Sequence, residues 1–217
     1  MPETTPTSTP DPYMVTIGGR RYSYLHPTAD TIDIEDIIFG LHQYRWTGHH
    51  GSWVTILEHS YHTFLIAKWL GETNQRVLRT ALMHDAHEAY VGDVAGPCKK
   101  AMRLLVPSVD PPEQRLAAKV GIPLPVPDSP WDIIEARAMA VVALKYDLIY
   151  PHPPIVREAD NLALAWEWRA RGLPDSALDD DDQRDRYTSV PEGMPHMQRA
   201  YEHAASALRR AARGADL

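Results

Sequence analysis

The chain of 217 residues is 44% hydrophobic, enough for one core-bearing domain, and no apolar run is long enough for an ordinary transmembrane helix. Lysine and arginine total 22 against 29 aspartates and glutamates, and the resulting net charge of -7 argues against broad wrapping of a nucleic-acid polymer while leaving room for a local phosphate pocket. The single Cys98 excludes an internal disulfide and a thiolate metal cluster. With a Pro-rich start that lacks the charged and apolar regions of a signal peptide, it sets a cytoplasmic expectation.

Residues 1–12, MPETTPTSTPDP, carry little apolar material to offset ordering entropy and read as a flexible leader. Gly18-Gly19, between short β-favouring runs from Val15 to Leu25, predicts a small hairpin covering one edge of a helical core. Asp33 is positioned to cap a short helix containing Ile37, Ile38 and Leu41. Val54, Leu57, Tyr61, Leu65 and Trp69 predict a helix over Ser52–Leu70, with Ser52 as its cap and Gly71 at its end. Asn74 caps the next, which carries Val77, Leu78, Ala81 and Leu82 into HDAHEAYVGD. CKKAMRLL after Pro97 is a short helix, and Asp110-Pro111-Pro112-Glu113 starts another before Gly121. The stretch IPLPVP reads as a surface connection. Ser129-Pro130 opens a long helix to Tyr150, stopped by Pro151, and a further helix runs from about Pro154 to Arg171. No repeat or composition boundary divides the chain. The fold class is all-α with a small peripheral N-terminal β-hairpin, the main domain spanning 13–172 and an acidic linker with an accessory C-terminal helix spanning 173–217.

Eleven histidines are present, eight of them between His26 and His87. His59, the adjacent His84-Asp85 pair and the later Asp160 offer two imidazoles and two carboxylates that packed helices can gather around a divalent cation. Spacing alone leaves a metal site and a buried hydrogen-bond network both open. If the helix continued past Asp85, Glu88 would stand on the same face, three and four residues on from the pair. Lys99 and Arg103, four apart, would share one side of their helix and suit phosphate oxygens.

YRWTGHH from Tyr44 to His50, ILEHS from Ile56 to Ser60, LMHDAHEAYVGDVAGPCKK from Leu82 to Lys100, and VREAD from Val156 to Asp160 together resemble the HD-domain metal-dependent phosphohydrolases. The bacterial 5'-deoxynucleotidases and the small phage dATP triphosphohydrolases are the branches they resemble. The resemblance implies an HD-domain helical bundle with His59, His84, Asp85 and Asp160 as ligands to one catalytic divalent transition metal, with Co, Zn, Mn and Fe all compatible with mixed N/O donors. A further Mg or Mn would arrive with a triphosphate.

By the same resemblance Glu88 orients the hydrolytic water, Asp93 assists proton movement, and Lys99 and Arg103 contact the phosphate tail. Arg45 contacts phosphate and Trp46 crowds the sugar against a ribose 2'-hydroxyl, while His49 is a candidate substrate contact in the polar approach to His59. The implied reaction is metal-dependent hydrolysis of 2'-deoxynucleotide phosphates, with dATP as the leading partner molecule. A deoxynucleoside 5'-monophosphatase is the alternative, although Val94 lacks the hydroxyl often found after the acidic turn in that branch. A non-catalytic metal- or nucleotide-binding regulatory domain is the reading of a different class. The C-terminal helix is a candidate homo-oligomer interface; neither a nucleic-acid polymer nor a membrane is expected as partner, and a phage-encoded protein would work in the host cytoplasm.

Overall fold

A two-stranded antiparallel hairpin opens the described part of the chain, which in this computed structural model comprises residues 11–43, 54–105, 129–170 and 201–217. Strand β1 (Tyr13–Val15) pairs with β2 (Arg21–Ser23) in the register Tyr13 to Ser23, Met14 to Tyr22 and Val15 to Arg21. The connection between them needs Gly19, whose φ of 76° carries no Cβ penalty in glycine. Helix α1 (Ile34–Gly40) follows the expected cap, with Asp33 accepting from the Glu35 N–H. It also anchors the hairpin: Gly18 N–H donates to Asp36 Oδ1 at 2.8 Å, and Arg20 pairs with Asp33 and Asp36 at 3.1 and 3.7 Å.

Helix α2 (Ile56–Trp69) starts later than Ser52, which lies outside the described residues. Its cap is Thr55, in a capping box: Thr55 Oγ1 accepts from the Glu58 N–H while Glu58 Oε2 accepts from the Thr55 N–H at 3.1 Å. Most of α2 is buried, polar residues included, because it lies at the centre of the bundle. Helix α3 (Gln75–Leu82) begins at Asn74, as its side chain predicts.

The expected continuation of α3 through Glu88 does not occur. Met83 closes the helix, residues 83–87 turn, and a separate short helix α4 (Glu88–Val91) begins at Glu88 itself. Turning there buries Met83 and Ala86 completely, a gain that outweighs continuation of the helical ladder. Against α4, the fully buried Tyr22 of the hairpin stacks on Tyr90 with ring centroids 4.6 Å apart, so the hairpin does cover an edge of the helical core.

Helix α5 (Gly96–Leu105) buries no residue, and its Cys98 is exposed. Two ion pairs fasten it to α6 (Pro130–Tyr146): Lys99 to Glu135 and Arg103 to Asp132, each at 2.7 Å. Ser129 caps α6 with Pro130 in its first turn, as predicted. The helix stops at Tyr146, short of the expected Tyr150, because Asp147 takes the left-handed conformation at φ 52° and its carboxylate is held by Arg76 and Arg79 of α3 at 3.0 and 3.4 Å. A contact distant in sequence thus helps set the stop before the prolines are reached.

Helices α7 (Pro154–Ala170) and α8 (Tyr201–Ala212) complete the described elements. α2 packs against α3, α7 and α8, while α1 packs on α4 and α8 and α6 packs on α4. Leu57, Ile66, Leu78, Leu82, Met139 and Leu208 are among the buried side chains of the common core. Arg209 of α8 makes a bidentate pair with Glu35 at 2.7 Å to each oxygen. The architecture is an all-α bundle with a small peripheral hairpin. Among the described residues, no helix is long and apolar enough to cross a membrane. The Asp110 helix and the acidic linker fall outside those residues.

Candidate metal centre

Three segments meet beside the middle of α2. His59 lies one turn into α2, set by the Thr55 cap; His84 and Asp85 come from the turn after α3; Asp160 comes from the second turn of α7. Because α2 packs on both α3 and α7, residues 25 and 101 positions apart from His59 in sequence converge on it.

One ligand atom from each of His59, His84 and Asp160 lies within 4.8 Å of the others. Asp160 Oδ1 is 2.9 Å from His59 Nε2 and 3.7 Å from His84 Nε2. Asp85 Oδ2 sits against both rings, 3.1 Å from His84 Nε2 and 3.9 Å from His59 Nε2. The imidazoles form the closed side of the cluster and the carboxylates the open side, with the Asp85 and Asp160 side chains 15% and 29% exposed.

The second nitrogen of each ring decides which atoms face the cluster. His84 Nδ1 is 2.9 Å from the Ala81 carbonyl oxygen, which can only accept, so Nδ1 carries the proton. His59 Nδ1 is 2.7 Å from Glu167 Oε1 and is assigned its proton on the same ground. Both Nε2 atoms are therefore turned toward carboxylate oxygens, His59 Nε2 toward Asp160 and His84 Nε2 toward Asp85. Imidazole nitrogens gathered against two carboxylates call for positive charge at that point, which either protons on the rings or a cation between the groups supplies. The residues fit a divalent cation in donor chemistry, in convergence and in this demand for charge.

The ionisation of the cluster expresses the same demand. Burial alone would lower the His84 pKa, but the Asp85 carboxylate, with Asp160 behind it, holds it well above the ordinary imidazole range. Burial would raise Asp160, yet its hydrogen bond to His59 and its attraction to the nearby His84 hold it well below the ordinary carboxylate range. Behind this pair, burial pushes His87 down to about 4. His152, whose Nε2 is 3.2 Å from the His84 carbonyl oxygen, is lowered by burial and by the neighbouring His84.

Glu88 is buried at the start of α4, its N–H donating to the Asp85 carbonyl at 2.9 Å and its own carbonyl accepting from Gln43 Nε2 at 3.0 Å. It follows Asp85 through a turn and not along a helix face. Asp93 lies half-buried in the segment after α4. Burial opposes charge on Lys99, but Glu135, followed by the charges of Glu88 and Asp85, raises its pKa and keeps it an ammonium. Arg45, Trp46 and His49 lie outside the described residues.

Glu167 was not anticipated from the sequence. It is 0% exposed and hydrogen-bonded to a candidate ligand, yet between Trp166 and Trp168 it reads as an ordinary helix acid. The available signal was its spacing: seven residues beyond Asp160 places it two turns on along the same face of α7.

Comparison with known proteins fits this architecture. Residues 42–120 match the family model described as HD domain, and the bundle with its two-stranded hairpin is HD-domain-like. Over 171 residues the chain is 28% identical to the uncharacterized protein YfdR of Escherichia coli (strain K12), which covers 76% of each chain. Over 95 residues it is 35% identical to the uncharacterized protein RCAP_rcc00048 of Rhodobacter capsulatus, covering 40% of this chain and 46% of that one. An HD-domain metal-binding fold, with a His/His/Asp cluster consistent with a single divalent-metal site, is thereby supported, and with it the potential for metal-dependent hydrolase chemistry.

Proposed function

We propose that the protein hydrolyses 2'-deoxynucleotide phosphates in a metal-dependent reaction, with dATP and other dNTPs as the leading substrates and His59, His84, Asp85 and Asp160 as the metal ligands. The observation that carries the metal half of this reading is the pair of Nε2 atoms held toward the two carboxylates by the Ala81 carbonyl and Glu167. When bound, a divalent cation supplies Lewis-acid polarisation of a phosphoryl oxygen and acidifies water. His59 and His84 would hold it from the closed side, and Asp85 and Asp160, on the more exposed side, would leave the approach open to an anionic substrate.

Glu88 orients the attacking water and accepts its proton, with Asp93 in support. Its burial keeps that carboxylate from being shared with bulk solvent. Lys99 remains charged beside Glu88 and Asp85 and offsets phosphate charge at the rim, joined by Arg103 and Arg45. Trp46 excludes the ribose 2'-hydroxyl and His49 contacts the substrate. The nucleotide reading rests on the resemblance of the YRWTGHH and HDAHEAYVGD segments to deoxynucleotide-acting enzymes.

One observation favours a second reading, deoxynucleoside 5'-monophosphatase. Lys99 and Arg103 are already paired with Glu135 and Asp132, and a monophosphate has no tail that must compete for them. Incubating metal-restored protein with matched dNTPs, NTPs and dNMPs, and quantifying phosphate, pyrophosphate and triphosphate, separates the readings and locates the cleaved bond. Triphosphate release from dATP, with deoxy-over-ribo discrimination lost in Trp46→Ala, is the expected result. Turnover of dNMPs alone selects the second reading, and binding without turnover across several metals rejects both.

A further inference from the structure

We propose that Glu167 is a positioning residue: it holds the His59 imidazole with Nε2 toward the cation and thereby sets the affinity and coordination of the metal centre. The inference rests on the metal reading above and extends it to a residue that touches neither cation nor substrate.

The geometry is a clamp. His59 Nδ1 lies 2.7 Å from Glu167 Oε1 while Nε2 lies 2.9 Å from Asp160 Oδ1, so one imidazole is held at both ends by carboxylates seven residues apart on α7. Seven residues of helix return to nearly the same face about 10 Å further along the axis, and the ring of His59 fits across that interval. Rotation about the Cβ–Cγ bond would break both contacts at once. Thr63, one turn further along α2, places its hydroxyl 3.5 Å from Nε2 on the remaining side.

Burial is the second argument. Glu167 is 0% exposed, and removing a carboxylate from water is strongly unfavourable unless charge and hydrogen bonds offset it. A position that served packing alone would be occupied more stably by an apolar side chain of similar volume. The oxygen that receives His59 is also approached by a second buried imidazole, His62 Nδ1, at 3.7 Å. An anion placed behind a ligand imidazole fixes its tautomer and makes Nε2 a stronger donor, an effect whose loss ordinarily costs about 10- to 100-fold in metal affinity.

The test compares unaltered protein, Glu167→Gln, Glu167→Leu and His59→Ala, each stripped of metal and titrated with Co(II). Heat of binding and the visible absorption of the bound ion are recorded beside the melting temperature of the metal-free form. The expected order of affinity is unaltered protein, then Glu167→Gln, then Glu167→Leu. The Gln variant should lose about 10-fold because its amide oxygen still accepts from Nδ1 but without the charge. The cobalt spectrum should change in both variants, while metal-free melting does not fall in step with affinity. If Glu167→Leu fails to fold, Glu167→Gln alone still decides. Unchanged affinity and spectrum in Glu167→Gln, with His59→Ala losing the metal, overturn the role of Glu167 and leave the metal site standing. Absence of binding by the unaltered protein, or full binding by His59→Ala, instead overturns the metal reading and the inference with it.

Discussion

The crossing of α1 over α4 is where a single methyl group should be felt at the candidate site. A Cβ built on Gly40 falls 2.7 Å from the Cα, Cβ and carbonyl oxygen of Ala89, whereas ordinary van der Waals contact begins at 3.4 Å. In Gly40→Ala the two helices must therefore separate by about 0.7 Å, and since two of the three obstructing atoms are main chain, no rotamer change relieves them. Overpacking of this kind costs about 1–3 kcal/mol, of which the better helix propensity of alanine returns at most about 1 kcal/mol. With that return in full, the net loss is roughly 0–2 kcal/mol, a fall of up to about 8 °C in melting temperature for a chain of this size. Urea denaturation should show a lower midpoint with an unchanged slope. Because α4 begins with Glu88, turnover should fall further than metal content does. Adding Ala89→Gly should recover only part of the stability, since the Cα and the carbonyl oxygen remain. A Gly40→Ala variant more stable than the parent, or a destabilised one fully restored by Ala89→Gly, would refute a backbone-to-backbone crossing here.

Thr55→Ala removes one arm of the capping box on α2 and should destabilise the fold by about 1 kcal/mol in the same urea assay. His87 has a folded pKa of about 4 against an ordinary 6.5, so the unfolded chain takes up its proton first on acidification. The stability gained by keeping it neutral is complete above pH 6.5 and is lost as pH falls toward 4, and His87→Gln should flatten the melting temperature across that window. The lowered carboxylates Asp132 and Asp160 add losses of the same sign at more acidic pH. Glu88→Gln should retain metal, measured by elemental analysis, while turnover drops by about 10²- to 10⁴-fold; unchanged turnover would exclude Glu88 as the proton acceptor.

Elements bounded by local chemistry were legible in the sequence. Asp33, Asn74 and Ser129 each cap the helix their side chains predicted, and the Gly18-Gly19 hairpin forms where its turn residues stand. Thr55-Ile56-Leu57-Glu58 carries a capping-box signature, so the true start of α2 was also written locally, although Ser52 offered a competing cap. The break at Met83 and the stop at Asp147 were not legible, because they depend on burial of Met83 and Ala86 and on two arginines of α3 reaching a residue about 70 positions away. At the site, the residue types proposed as ligands were readable, and the structure brings His59, His84 and Asp160 within reach of one another with Asp85 alongside. What holds each ring was not readable: the Ala81 carbonyl has no side-chain signature, and Glu167 gains its meaning only when α7 is laid against α2.

Helix α5 gives the molecule a dependence on ionic strength that its core does not share. It buries no residue and is fastened to α6 through Lys99–Glu135 and Arg103–Asp132. Electrostatic range shrinks from about 10 Å at 0.1 M salt to about 3 Å at 1 M, weakening these two fastenings while leaving the packing of α2 among its neighbours untouched. Salt also screens the attraction of an anionic ligand for the same two cations, so it loosens their carboxylate partners and weakens the competitor together. If Lys99 and Arg103 receive phosphate as proposed, affinity for phosphate compounds is a difference between two screened quantities, and values obtained at one salt concentration do not transfer to another.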